Sequence, residues 1–392
     1  MVCNKIFKSK GVYMINSERL ADTFRFLVGI DSVSKQEGNI ATELKKIFES
    51  MGAKTAVDEA GKITGSDTGN LVIKFTGNQK APPLLLNAHM DTVEPGKGIV
   101  PVLKDGVFTS SGNTILGADD KSAIAILIEV MTVLKENNIS HGPIEIVLTI
   151  CEEIGLLGAK HLDMRLIDAK YGYALDATDT EGIVTHAPGA NRLEFKIYGR
   201  DAHAGAAPEK GINAIVLAGK AIAGLEIGRI DRETTCNLGI IKGGVATNIV
   251  PSYVNIKGEV RSHNSEKLKE VTNNIISSFE NVIKNYQGDS SNGLPRVDVI
   301  VEDDFSCTNI PEDHTVVTLA KQAAASLGRK MITKITGGGA DANVFFSKGI
   351  MAGVIGTGMC DVHTVRESVK VDDMVNTGEL LLEIIKLHST GH

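Results

Sequence analysis

Tryptophan is absent from this chain, and aromatic residues make up only 4% of it. It therefore lacks the stacked rings on which single-stranded nucleic acid is usually held. Positive charge is also outnumbered. Lys and Arg number 41 against 48 Asp and Glu, and the net charge of −7 has the wrong sign for a phosphate backbone. Basic runs are few, and the one at residues 5–10 reads as solvated surface or tail. No nucleic-acid partner is expected. No stretch approaches the roughly 18 to 20 apolar residues of a membrane span, so no membrane association is expected either. The first twenty residues carry lysines but no apolar core, which makes a poor signal peptide. Met14 begins a more convincing domain, with Ser17 as the cap of a helix from about Glu18, and residues 1–13 read as a disordered tail or an upstream extension. Cysteines number five (Cys3, Cys151, Cys236, Cys307, Cys360), far apart and with no CxxC pair. Such a set suits buried free thiols in a reducing compartment, so the expected location is cytoplasmic.

What is present is ordinary globular composition, 42% apolar and 23% charged, in a chain of 392 residues that is long enough for two or three domains. Three short apolar runs each lead into an acidic or histidine cluster. Residues 84–86 feed Asn87-Ala88-His89-Met90-Asp91, residues 144–150 feed Cys151-Glu152-Glu153, and residues 171–175 feed Asp176. Helical patterns follow at 122–135 and 155–162. A late run at 351–355 precedes Cys360-Asp361-Val362-His363, with a helix from about 372 to 387. The alternation predicts an α/β fold, a mixed and mostly parallel sheet with helices on both faces. In such sheets ligands bind at the carboxyl ends of the strands, where these clusters fall. From 188 to 303 the pattern changes. Strands at 193–198, 237–242, 253–262 and 296–302 and helices at 212–225 and 266–286 give the order βαββαβ, a ferredoxin-like unit. It is expected to be inserted into the first domain, which then comprises residues 1–187 and 304–392.

Each polar cluster has an ordinary explanation when taken singly. His89 and Asp91 are two apart on an extended segment, so both point the same way. A strand-end His bonded to its neighbouring Asp would account for them. So would a metal ligand, with Asp91 orienting the ligand or the base. Glu152 and Glu153 are either a solvated acidic turn or two carboxylates that a cation neutralises, one as ligand and one as base. Asp119 could cap a helix and Asp176 a turn, and His363 could be a surface histidine in a Gly-rich loop. Five separate sites converging on one sheet edge are harder to dismiss. They suit a metal-assisted hydrolase.

HMDTV at 89–93, GADDK at 117–121, the Cys-Glu-Glu strand end, isolated Asp176, GRDAHAG at 199–205 and the late His363 together resemble the zinc exopeptidase family. That family includes peptidase T, carboxypeptidase G, acetylornithine deacetylase and succinyl-diaminopimelate desuccinylase. The match covers nearly the whole chain after Met14, and the closest branch is peptidase T-like. The resemblance implies two zinc ions per subunit, with cobalt or manganese as alternatives. Asp119 would bridge them, with His89 and Asp176 completing one site and Glu153 and His363 the other. Glu152 would act as general base and Asp91 would orient a ligand. A cis peptide would follow Asp119. The inserted domain would be a lid and the surface of a homodimer. His203 would stabilise the oxyanion, in cis or from the partner subunit. Asn248, Arg261 and Gly338, the last in a glycine loop at 337–339, would contact a short peptide substrate. Arg261 equally fits a surface ion pair.

The leading expectation is a dizinc tripeptidase or aminopeptidase. An N-acyl amino acid deacylase or a carboxypeptidase would use the same machinery. A non-catalytic member of the fold would be expected to lose the base, yet Glu152 is present.

Overall fold

The computed structural model describes residues 14–288 and 290–391. The tail expected at 1–13, with Cys3 and the basic run, lies outside the described residues. Contacts divide the chain into two compact units. One comprises residues up to Thr185, Ile310–Ile335, and those from Ala340 onward; the other comprises His186–Asn309 with Thr336–Gly339. The expected limits of 188 and 303 lie a few residues inside this division. The short visit at 336–339 left no mark in the pattern, since Thr-Gly-Gly-Gly has no periodicity.

In the first unit four central strands run parallel, in the order Ile144–Thr149, Leu84–His89, Tyr171–Ala177 and Met351–Gly356. The flanking strands Leu71–Phe75 and Gly182–Ala187 pair antiparallel with the outer two. The apolar runs form strands because both faces are covered. Leu84, Leu86, Ile146 and Leu148 pack with Phe24, Ile124 and Leu381 on one side. Leu85, Val147 and Ala174 pack with Phe345 on the other. The helix Ala118–Glu136 is buried along nearly its whole length and carries Ile124, Leu127, Val130 and Leu134 at the centre of the larger core. The register sets His89 beside Thr149 and Asn87 beside Ala174, so the carboxyl ends of three strands lie side by side.

Two local expectations change. Ser17 is the first residue of its helix, Ser17–Val28, and the cap is Asn16, whose side chain accepts from the Arg19 amide at 3.0 Å. The helical pattern at 155–162 yields a single turn, Leu157–Lys160. Gly155 and Leu156 both take positive φ, and the Leu157 and Gly158 amides turn back to the carbonyls of Cys151 and Ile150. A side chain at Gly158 would meet the Ile150 carbonyl at 2.2 Å. A small antiparallel sheet, absent from the sequence reading, joins Pro101–Lys104, Val107–Ser110, Met359–Cys360 and Ser368–Lys370.

The second unit is an antiparallel sheet in the order Gly228–Arg229, Thr234–Gly243, Tyr253–Ser262, Gly189–Tyr198, Arg296–Phe305. Leaving aside the two-residue edge strand, this is the ferredoxin-like order. Helices Ala214–Ala223 and Ser265–Lys284 begin at Asn213 and Asn264, whose side chains accept from amides of their first turns. They pack with the inward residues Leu193, Phe195, Ile197, Val254, Ile256 and Val260, and the Phe195 and Phe279 rings stack at 4.1 Å.

Candidate metal centre

His89 closes its strand and is 2% exposed. Its Nδ1 meets the Asp91 carbonyl at 2.9 Å, and its Nε2 lies 3.0 Å from Asp119 Oδ1. The other Asp119 oxygen, Oδ2, lies 3.2 Å from His363 Nε2, which in turn is 2.9 Å from Glu153 Oε2. Asp176, near the end of Tyr171–Ala177, completes a group with His89 and Asp119. In each triad, His89–Asp119–Asp176 and Asp119–Glu153–His363, ligand atoms lie within 4.8 Å of one another. Asp119 belongs to both. Its backbone is non-helical (φ −80°, ψ 101°), the Asp119–Asp120 peptide is cis, and its side chain faces the histidines rather than capping the helix.

Negative charge is in excess here. Burial, reinforced by neighbouring carboxylates, pushes Glu152 and Asp176 well above the usual carboxylate range, and burial also raises Glu153. The Asp119 and Glu153 carboxylates raise His363 to about 10. Burial works against charge on His89, but the bonds to Asp119 and Asp91 prevail and hold it well above its ordinary value. Such a cluster takes up positive charge, as protons or as a cation. Glu153 Oε1 is buried with no hydrogen-bond partner, as are Asp120 Oδ1 and Asp341 Oδ1. An orphaned carboxylate oxygen inside a His/carboxylate set fits a divalent cation of the zinc, cobalt or manganese type.

The carboxylate of Asp91 is 3.5 Å from His89 Nδ1, whereas its oxygens accept from the amides of Glu152 at 2.9 Å and Glu153 at 3.3 Å. Ser34 Oγ donates to it as well, at 2.6 Å. Asp91 thus holds the backbone beneath Glu152 and Glu153 more directly than it holds the His89 ring. Glu152 itself is 8% exposed.

The remaining expected residues lie in the second unit. His203 Nδ1 accepts from the amides of Gly205 and Ala206 at 3.2 and 3.1 Å. The ring proton therefore sits on Nε2, which is left as a donor. Asn248 is brought to the same turn, its carbonyl accepting from the Ala204 amide at 2.9 Å. Arg261 makes a two-toothed ion pair with Glu259, both contacts at 3.1 Å, and its Nη1 donates to the Gly337 carbonyl at 3.3 Å. The loop of Gly338 is thereby its neighbour; the Gly338 amide donates to Thr336 Oγ1.

Sequence reasoning missed three buried carboxylates. Glu37, fully buried, accepts from the Cys151 amide at 2.9 Å and from Ser66 Oγ at 2.5 Å. Asp341 accepts from Thr149 Oγ1 and, at 3.4 Å, from Asn87 Nδ2, tying together the ends of two central strands. Glu367 binds the loop that carries Asp119. The first and last are lone acids with no motif. Asp341 follows the glycine loop at 337–339, and its signal was an acid opening a helix, Asp341–Ser347, just after three glycines. Of the described cysteines, Cys151 and Cys236 are buried, Cys307 half-buried and Cys360 exposed; all are free.

Residues 85–387 match the profile of Peptidase family M20/M25/M40. Peptidase T of Fusobacterium nucleatum is 31% identical over 322 residues, covering 80% of this chain and 75% of that protein. The structure of aminopeptidase PepT from Bacillus cereus is similar, with a TM-score of 0.88, 41% identity, and coverage of 96% of this chain and 100% of that one. A tripeptidase structure from Staphylococcus aureus gives a TM-score of 0.90, 38% identity, and coverage of 96% and 100%.

Proposed function

The chain belongs to peptidase family M20/M25/M40, is peptidase T-like within it and so a hydrolase of the exopeptidase type, and from that premise we propose that it is a dizinc tripeptidase or aminopeptidase. The observation that carries this reading is the sharing of Asp119 by the two donor triads. A carboxylate with one oxygen toward His89 and the other toward His363 is what a bridge between two cations requires. His89 and Asp176 would hold one ion, Glu153 and His363 the other. When bound, zinc supplies Lewis acidity that polarises the scissile carbonyl and makes the attacking water more acidic.

The chain's own residues do the rest. Glu152 takes the proton of the attacking water and returns it to the leaving amine, one carboxylate serving as base and then acid. Asp91 fixes the backbone of Glu152, so the base is aimed by its main chain. His203, with its donor at Nε2, stabilises the oxyanion as charge develops. Asn248, Arg261 and Gly338 contact the peptide, and the Arg261 guanidinium clamps a carboxylate in exchange for Glu259. Exposed Ile215, Val216, Ile240, Ile241 and Val245 support association of two copies through the second unit. The free cysteines support a reducing, cytoplasmic setting.

The test is an assay of zinc-loaded protein on free tripeptides, N-blocked peptides and N-acyl amino acids, alongside Glu152→Ala. Free tripeptides should turn over, and the variant should bind two zinc ions while losing about 10²- to 10⁴-fold in kcat. Turnover of N-blocked substrates alone would replace the tripeptidase by a deacylase, and an undiminished Glu152→Ala would remove Glu152 as the base.

A further inference from the structure

A buried carboxylate has to find its hydrogen-bond donors within the protein. Glu367 is 1% exposed and finds three, all of them main-chain amides of one turn. Its Oε2 accepts from Leu116 at 2.7 Å and Gly117 at 2.8 Å, and its Oε1 from Asp119 at 2.9 Å. That turn opens the helix Ala118–Glu136, where the first amides have no helical partner. The residue at the cap, Gly117, sits at φ +75° and has no side chain to offer. Most helices satisfy these amides with a side chain a few residues away. Here the acceptor comes from a segment 248 positions further along.

The same residue closes another loop. Glu367 ends the connection between Met359–Cys360 and Ser368–Lys370, and its amide donates to the Thr364 carbonyl at 3.1 Å. Within that connection His363 takes φ +61° and Asp361 φ +51°. The backbone of Glu367 therefore anchors the loop that carries His363, and its carboxylate anchors the loop that carries Asp119. The facing side chains are 3.2 Å apart.

We propose that Glu367 is a positioning residue that sets the separation of Asp119 and His363 before any metal arrives. The inference rests on the reading of those two residues as zinc donors. Glu367 touches neither metal nor substrate and acts on zinc affinity through two backbones. A carboxylate is needed because both of its oxygens accept. In Glu367→Gln one oxygen becomes an NH₂ group, which must face either the Asp119 amide or those of Leu116 and Gly117.

The experiment titrates zinc into metal-free wild type and Glu367→Gln in competition with a chromophoric chelator, and follows amide hydrogen exchange in the metal-free wild type. The weaker of the two zinc sites should lose about 10- to 100-fold in affinity in the variant, the usual effect of removing a partner behind a ligand. The amides of Leu116, Gly117 and Asp119 should be as protected without zinc as with it. A variant that melts earlier but binds both zinc ions as wild type does has lost only a structural cap, and the proposal fails. It also fails if those amides exchange freely until zinc is added, a result that stands even if the variant does not fold. Wild type that takes up no zinc overturns the proposed function itself, whereas two tightly held ions with no effect of the substitution overturn this inference alone.

Discussion

The first unit holds its proposed chemical groups from behind; the second leaves its own comparatively loose. Under Glu152, Glu153 and Asp119 the backbone amides are taken by Asp91 and Glu367, which are 0% and 1% exposed. His203 sits in an exposed turn on two amide contacts longer than 3.0 Å, and Arg261 is occupied by a half-exposed ion pair with Glu259. Exposed pairs of that kind contribute little and are readily exchanged. A buried carboxylate bonded to several amides is costly to disturb, because each amide left unpaired carries a desolvation penalty. Bond cleavage needs fixed geometry, whereas recognition of varied peptides tolerates adjustment, and with the exception of His203 the proposed roles divide between the two units along that line.

The largest expected effect comes from taking away the metal that the first unit is proposed to hold. Chelation should reduce peptide hydrolysis to background, with recovery on adding zinc, and should lower the melting temperature by leaving the carboxylates uncompensated. Activity that survives chelation would break the comparison at once. Next is His203→Ala, which should cost about 10²- to 10³-fold in kcat with KM little changed, as for loss of an oxyanion donor. Asp91→Asn keeps the shape but turns an NH₂ group toward one of the two amides beneath the glutamates. Steady-state kinetics and zinc analysis should show a loss of about 10- to 100-fold in kcat, with metal content retained. The smallest effect should be that of Arg261→Ala, about 10-fold in KM with kcat unchanged. An effect on kcat larger than that of Asp91→Asn would mean that recognition is as rigidly built as the chemistry.

The residues legible in the sequence were those whose neighbours repeat. The strands ending at His89, Thr149 and Ala177 stood out because continuous apolar runs mark strands buried on both faces. The Ser265–Lys284 helix and its four long companion strands were legible from clean periods of 3.6 and 2. The small sheet around His363 was not, since strands of two to four residues are too short to show a period. Asp91 was singled out by its spacing from His89, yet most of its contacts lie some 60 positions away, at Ser34, Glu152 and Glu153. Glu37 and Glu367 are isolated acids whose meaning comes from amides 114 and 248 positions distant. Local pattern carries no information about such partners.

That long reach has a consequence for the chain as it is made. His89, Asp119, Glu153 and Asp176 all emerge from the ribosome before the second unit, while His363 and Glu367 emerge after it. A nascent chain halted within the second unit has the proposed base and most of the proposed donors but lacks both His363 and Glu367. On the proposed roles, partial chains would be unable to cut peptides until the late hairpin has been made and its Glu367 has met the turn at Gly117.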